Sequence, residues 1–181
     1  MKKIIIILGI VLVTLLLLLT QFGIQIGNVR LGKQIDLKVK QNVNFEESVF
    51  YKEYYSKSNL IVLNLWATWC EPCVGEIPQL NAVKEFYKNE NIDFLSLSVD
   101  NDSVKLIKFN NTHKFKFNDI TMSNLKYRNA ILNVIENKKP DAWISGSSVP
   151  VTYLIKNSKV VEKINGQIER EELIKLINKN R

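Results

Sequence analysis

The chain of 181 residues carries two cysteines, Cys70 and Cys73, and they stand at the junction of two segments of opposite character. Before them runs Ile61-Val62-Leu63-Asn64-Leu65-Trp66, an apolar stretch of strand character, and near Val74 a helix-compatible segment begins. A Cys-x-x-Cys pair is redox chemistry or half of a metal site. A helix start supplies unpaired N–H groups and a partial positive charge, both of which stabilise a thiolate. Cys70 therefore reads as the nucleophile. Residues three apart on a helical turn also lie within the separation that a disulfide tolerates, so Cys73 can close a ring with it. The one histidine, His113, lies far from the pair in sequence, and two cysteines with one histidine make a poor zinc site. No resident metal or cofactor is expected.

Around this junction the periodicities alternate. A buried strand is expected over Leu60 to Trp66, followed by a helix with Ile77, Leu80, Val83, Phe86 and Tyr87 on its apolar side and Pro78 interrupting it. A second strand runs from Ile92 to Val99, and Asp100-Asn101-Asp102 then offer caps for a helix over Ser103 to Thr112. Asn157-Ser158 separates two strand segments, Val151 to Ile155 and Lys159 to Ile164, and predicts a hairpin. The last helix starts near Glu169 and uses Leu173, Ile174 and Ile177.

Two segments are less regular. Residues 118–148 read as an insert, in which Leu125, Ile131, Leu132 and Ile135 could line a helix, with turns at Lys139-Pro140-Asp141 and Ser145-Gly146-Ser147-Ser148. Residues 23–58 read as an extension that leads into the domain through a short strand or hairpin, with weak alternation at Ile35 to Lys40 and an aromatic stretch at Phe50 to Tyr55.

At the front, Met1-Lys2-Lys3 precedes an unbroken apolar run from Ile4 to Leu19, close to the ~17 to 25 residues of a membrane-spanning helix. Thr20-Gln21-Phe22-Gly23-Ile24 offers no small-residue cleavage site, which favours an uncleaved signal anchor over a cleaved signal. The lysines stay on the cytoplasmic side, and the rest of the chain lies outside, in an oxidising space. The division expected is an anchor over 1–22, an extension over 23–58 and a domain over 59–181. With 25 basic and 18 acidic residues the formal charge is +7. The lysines are dispersed among Asn and Glu instead of forming a basic stripe, so nucleic acid is not an expected partner.

The order strand-helix-strand-helix, then hairpin and helix, with Cys-x-x-Cys at the first junction, is that of the thioredoxin fold. Locally, Leu63-Asn64-Leu65-Trp66-Ala67-Thr68-Trp69-Cys70-Glu71-Pro72-Cys73, together with Glu76 and Pro78, closely resembles the TlpA/ResA-like membrane-anchored thiol-disulfide oxidoreductases. The resemblance implies an α/β thioredoxin fold, a central mixed β-sheet flanked by helices, with an N-terminal membrane-anchor helix and an insert before the cis-proline loop. It implies that Val149-Pro150 is that loop, facing the disulfide and pairing with substrate backbone, and that Trp69 is part of the platform around Cys70. Glu76 matches the family's glutamate near the cysteines, able to exchange a proton when Cys73 attacks if burial raises its pKa. Thioredoxin itself has a buried aspartate where this chain has Asn64, an amide that cannot titrate, so the carboxylate duty falls to Glu76.

Between the cysteines, Pro72 and Glu71 tune the couple. The negative charge of Glu71 opposes a thiolate at Cys70, which favours a reductant. The family implies an extracytoplasmic reductase of protein disulfides, with apocytochrome c as one substrate and a membrane electron donor as partner. An oxidase or isomerase of secreted proteins is one competing reading. A thioredoxin-fold binding module that uses the insert as its surface is the other.

Overall fold

In the computed structural model, residues 24–26, 29–31, 43–57, 59–139 and 148–181 are described. The expected anchor helix, the alternation at Ile35 to Lys40, and most of the two expected turns, within 140–147, lie outside them. The chain divides into two compact units, Met1–Lys40 and Gln41–Arg181. In the first, β1 (Ile24–Ile26) and β2 (Val29–Leu31) pair antiparallel, Ile24 opposite Leu31. Among the described residues no helix is long and apolar enough to cross a membrane.

The second unit is built on a five-stranded mixed sheet. Its strands are β3 (Leu60–Trp66), β4 (Ile92–Ser98), β5 (Asn118–Asp119), β6 (Val151–Lys156) and β7 (Lys159–Asn165), in the spatial order β5-β4-β3-β6-β7. β3 is central: parallel to β4 from Leu60 opposite Ile92 to Trp66 opposite Ser98, and antiparallel to β6. A strand covered on both faces needs a near-continuous apolar sequence, and every residue of β3 is buried. β7, at the edge, alternates exposed and half-buried positions and carries Lys159 and Lys163, which discourage further strand pairing. The hairpin turn follows from its two residues: Asn157 and Ser158 have φ of 51° and 58°, and paired left-handed residues match the twist of the strands.

Helices cover both faces. α1 (Glu71–Phe86) and α4 (Arg170–Asn180) lie on one face, where Leu80, Val83, Leu173 and Ile177 pack against Leu60, Val62 and Leu154. α2 (Ser103–Thr112) follows β4 and turns Leu106 toward the cysteines. On the opposite face α3 (Arg128–Ile135) packs Ala130, Ile131 and Ile135 against Ile61, Leu63 and Leu65. Each such side chain, fully buried, contributes ~1.5 to 3 kcal/mol.

The structure corrects the sequence reading at three places. α1 starts at Glu71, three residues before Val74, and passes through Pro78. Residues 118–139 form β5, a 3-10 turn (Met122–Tyr127) and α3, so what reads as an insert completes the sheet edge and covers one face. Leu125 falls in the 3-10 turn and is exposed. Asn124 is the buried residue there: its side chain accepts the Phe50 N–H at 3.0 Å and donates to the Ile120 carbonyl at 2.8 Å. Residues 43–57, read as the end of an extension, belong to the same core. The ring of Phe45 packs against those of Phe50, Tyr51 and Tyr55 at 5.3–6.3 Å. Tyr55 is tied to the hairpin turn by its hydroxyl, which donates to the Ser158 carbonyl at 2.7 Å.

Candidate active site

β3 delivers the chain to the site. After Trp66 a turn closed by the Cys70 N–H on the Ala67 carbonyl (3.1 Å) brings Cys70 to the N-cap of α1, with extended backbone at φ −90° and ψ 97°. Its sulfur accepts the Cys73 N–H at 3.3 Å, as a capping oxygen would. Glu71 and Pro72 occupy the exposed first turn, where a proline removes no helical hydrogen bond. Cys70 and Cys73 form a disulfide with Cα atoms 5.3 Å apart. Both cysteines are buried, Cys70 at 5% exposure and Cys73 at 1%, so Cys70 is the less buried of the two.

Both cysteines share an apolar cluster with Trp66, Ala67 and Leu106, against which Phe109, Phe115 and Val149 pack. The Trp66 ring lies 5.2 Å from Phe109 and 5.7 Å from Phe115, filling the space beneath the disulfide. Trp69 has the opposite place: at 62% exposure it stands in solvent beside Cys70. The Val149-Pro150 peptide bond is cis. Val149 reaches the cysteine cluster, and the Pro150 carbonyl is taken by the Gly166 N–H at 2.9 Å. Gly166 makes that return with φ of 86°, a conformation that favours glycine. The residues expected at the site are thus brought together: Cys70, Cys73 and Val149 in one cluster, Pro150 beside it, Trp69 at its rim. His113 is not in this cluster but stacks on Phe109, which packs against it, at the end of α2 with ring centroids 3.7 Å apart.

Glu76, one turn beyond Cys73, is 1% exposed. Its two oxygens accept from Asn64 Nδ2 at 2.9 Å and from the Ile168 N–H at 3.2 Å. Burial pushes its pKa above the ordinary carboxylate value, and the two donors oppose that rise. Asn64 also donates to Thr152 Oγ1 at 3.2 Å, its partner in the β3–β6 register, which links Glu76 to the strand that follows the cis-proline.

Sequence reasoning missed a second buried carboxylate. Asp100 reads as one of three helix caps, but the capping is done by Asp102, which accepts the Lys105 N–H at 3.0 Å. Asp100, 5% exposed, turns back toward the redox turn instead. It accepts the Thr68 N–H at 2.8 Å, the Thr68 hydroxyl at 2.7 Å and the Ser98 hydroxyl at 2.6 Å. Arg128, at the start of α3, donates to the carbonyls of Asp100 (2.6 Å) and Ser98 (3.3 Å) and to Asn101 Oδ1 (3.1 Å). Burial lowers the Arg128 pKa, and the charge of Asp100 opposes that shift. The available signal was local: an aspartate at the end of one parallel strand and a threonine two residues before the first cysteine.

A mixed sheet whose central strand feeds a disulfide-capped helix, faced by a cis-proline loop, defines a thioredoxin-fold protein with a Cys-x-x-Cys centre. The chain belongs to the AhpC/TSA family, whose model matches residues 32–164. It is 29% identical over 118 residues to a thiol-disulfide oxidoreductase ResA of Bacillus cereus, a match covering 65% of this chain and 61% of that protein. The ResA of Geobacillus kaustophilus is 28% identical over 114 residues, covering 62% and 58%. The matched region thus spans less than two thirds of these relatives.

Among solved structures, StoA from Bacillus subtilis superposes with a TM-score of 0.52 at 15% identity, covering 67% of this chain and 84% of that one. A putative thiol:disulfide interchange protein DsbE from Chlorobium tepidum gives 0.51 at 19%, covering 71% and 83%. Both share the fold. The likeness to ResA-like proteins read from Leu63 to Cys73, with Glu76 and Pro78, agrees with the ResA relatives.

Proposed function

We propose that the chain is a thiol-disulfide oxidoreductase that reduces protein disulfides outside the cytoplasm. The observation that carries the reading is the Cys70–Cys73 disulfide at the first turn of α1, with a buried carboxylate one turn further on. In the dithiol form the Cys73 N–H and the helix terminus stabilise a thiolate on Cys70. That thiolate attacks one sulfur of a substrate disulfide. The substrate S–S bond breaks, a mixed disulfide forms with Cys70, and the departing substrate thiolate takes a proton from water. Cys73 then gives its proton to Glu76 and attacks Cys70 Sγ. This closes the intramolecular disulfide and releases the second substrate sulfur as a thiolate, which takes up the proton held on Glu76, so two electrons have passed to the substrate. A membrane electron donor returns the pair to the dithiol.

The apolar rim formed by Trp69, Val149 and Pro150 receives the substrate polypeptide, for which an apocytochrome c with a closed cysteine pair is a fitting example. Glu71 supports the direction: its exposed carboxylate in the first turn works against the Cys70 thiolate, which strengthens the dithiol as a reductant. The location is supported by Lys2-Lys3 ahead of the apolar run from Ile4 to Leu19, a pattern that holds the following chain outside the membrane.

A redox titration against glutathione or dithiothreitol tests the direction. The expected potential is more negative than about −200 mV; a value near −120 mV, that of a strong oxidant, would instead make the protein an oxidase.

A further inference from the structure

We propose that Thr68, Asp100 and Arg128 form a clamp that positions the Cys70 turn, with Thr68 and Asp100 acting as positioning residues for the sulfur and Arg128 anchoring them from α3. Strands β3 and β4 run in parallel register up to Trp66 and Ser98, and the Val99 N–H adds one more bond to the Trp66 carbonyl at 2.9 Å. Past that bond the ladder ends and the two loops diverge, one toward Cys70 and the other toward α2. Asp100 joins them again, because its carboxylate takes both the amide and the hydroxyl of Thr68, at 2.8 and 2.7 Å.

Two bonds from one residue to one carboxylate fix position and orientation together. Thr68 lies inside the turn that the Cys70 N–H closes on Ala67, so the placement of Cys70 Sγ at the mouth of α1 follows from the placement of Thr68. The side chain that separates Thr68 from Cys70 is the exposed Trp69, which the same clamp orients.

Asp100 brings a buried negative charge near a sulfur that must become a thiolate, and that charge alone would oppose the chemistry. Arg128 answers it. Its half-buried guanidinium donates to the backbone carbonyls of Asp100 and Ser98 and to the Asn101 side chain, at 2.6, 3.3 and 3.1 Å, and its positive charge is electrostatically coupled to the Asp100 carboxylate. Arg128, the first residue of α3, thus ties that helix to the loop after β4 that holds the redox turn.

The clamp is tested by the pH profile of Cys70 alkylation in the reduced full chain, with unfolding curves recorded in parallel. Iodoacetamide is the probe, so no protein substrate is required. The result is independent of redox direction, and a failure here is distinguishable from a failure of the reductase reading. Thr68→Val keeps shape and removes one bond; it is expected to slow alkylation at neutral pH about threefold to tenfold and to move the profile to higher pH. Thr68→Ser, which keeps both bonds, is expected to stay within about twofold of the unaltered chain. Arg128→Met is expected to shift the profile in the same direction as Thr68→Val. An unaltered profile in Thr68→Val, or a Thr68→Ser variant as slow as Thr68→Val, overturns the clamp. Should Thr68→Val not fold, an unaltered profile in folded Arg128→Met overturns it equally.

Discussion

Among single residues, two buried carboxylates, Glu76 and Asp100, hold different partners around the redox turn. Glu76 sits on α1 with its oxygens committed to Asn64 and Ile168, while Asp100 is committed to Thr68 and Ser98. Of the two, Glu76 shares a helix with Cys73, one turn on, and in the proposed mechanism it accepts the resolving thiol's proton. Replacing it by glutamine removes that acceptor. The rate at which Cys73 resolves a mixed disulfide, read by quenched-flow with a peptide substrate, is expected to fall about a hundredfold, while the first attack by Cys70 changes little.

The same residue has a signature in stability. Because burial raises its pKa in the folded chain, folding takes up a proton at Glu76 between the unfolded and folded values. Its contribution is therefore fully present below the unfolded value and is lost as pH rises through the folded one. Thermal unfolding followed from about pH 4 upward should show a decline that Glu76→Gln removes; an identical decline in the variant contradicts this assignment.

Among the elements, α3 carries the clearest consequence. Ile131 is fully buried against the sheet, so Ile131→Ala is expected to destabilise the domain by about 2 to 5 kcal/mol in denaturant unfolding. A helix merely resting on the domain edge would lose less than ~1 kcal/mol. This helix also marks where the sequence was hard to read. β3, β4, α2 and the β6–β7 hairpin were legible because each has one period and a recognisable boundary: a continuous apolar run, an Asp102 cap, an Asn157-Ser158 turn. The stretch that leads into α3, from Asn118 to Tyr127, has neither, whereas Ile131, Leu132 and Ile135 line a helix as the sequence reading expected. β5 is two residues long, the 3-10 turn presents Leu125 outward, and a polar residue, Asn124, is the one buried.

The segment before β3 was obscured for a related reason. Its aromatic residues Phe45, Phe50, Tyr51 and Tyr55 pack on one another and into the core from a 3-10 turn (Phe45–Glu47) and a π-helix (Tyr51–Tyr55), which leave no α-helical or strand period. The site was more legible than the fold around it. Cys70, Cys73, Glu76 and Pro150 could be placed from spacing and resemblance. Thr68, Asp100 and Arg128 could not, because the hydrogen bonds that unite them span 28 to 32 positions and depend on the parallel pairing of β3 and β4.

At the scale of the whole molecule, the proposal joins an oxidising compartment to a reducing centre. That arrangement requires the N-terminal run to hold the chain at the membrane, close to a source of electrons. Deleting residues 1–22 is expected to move the protein from the membrane to the soluble fraction on cell fractionation while leaving the redox potential of the Cys70–Cys73 pair unchanged. A full-length chain found soluble, with an intact N-terminus by mass spectrometry, contradicts the anchor. The charge balance of 25 basic to 18 acidic residues then serves solubility, since the lysines are spread over the chain and several sit in exposed ion pairs, as Lys88 and Lys116 do with Glu85.

The central claim is that Cys70 attacks and Cys73 resolves, and trapping tests it most directly. In cells producing the Cys73→Ala variant, mixed disulfides should accumulate through Cys70 and appear on non-reducing gels as higher-mass species that dithiothreitol collapses. The Cys70→Ser variant should give none. If Cys73→Ala traps no partner while the unaltered protein turns over disulfide substrates, or if Cys70→Ser traps as well as Cys73→Ala does, the assignment of nucleophile and resolving thiol is wrong.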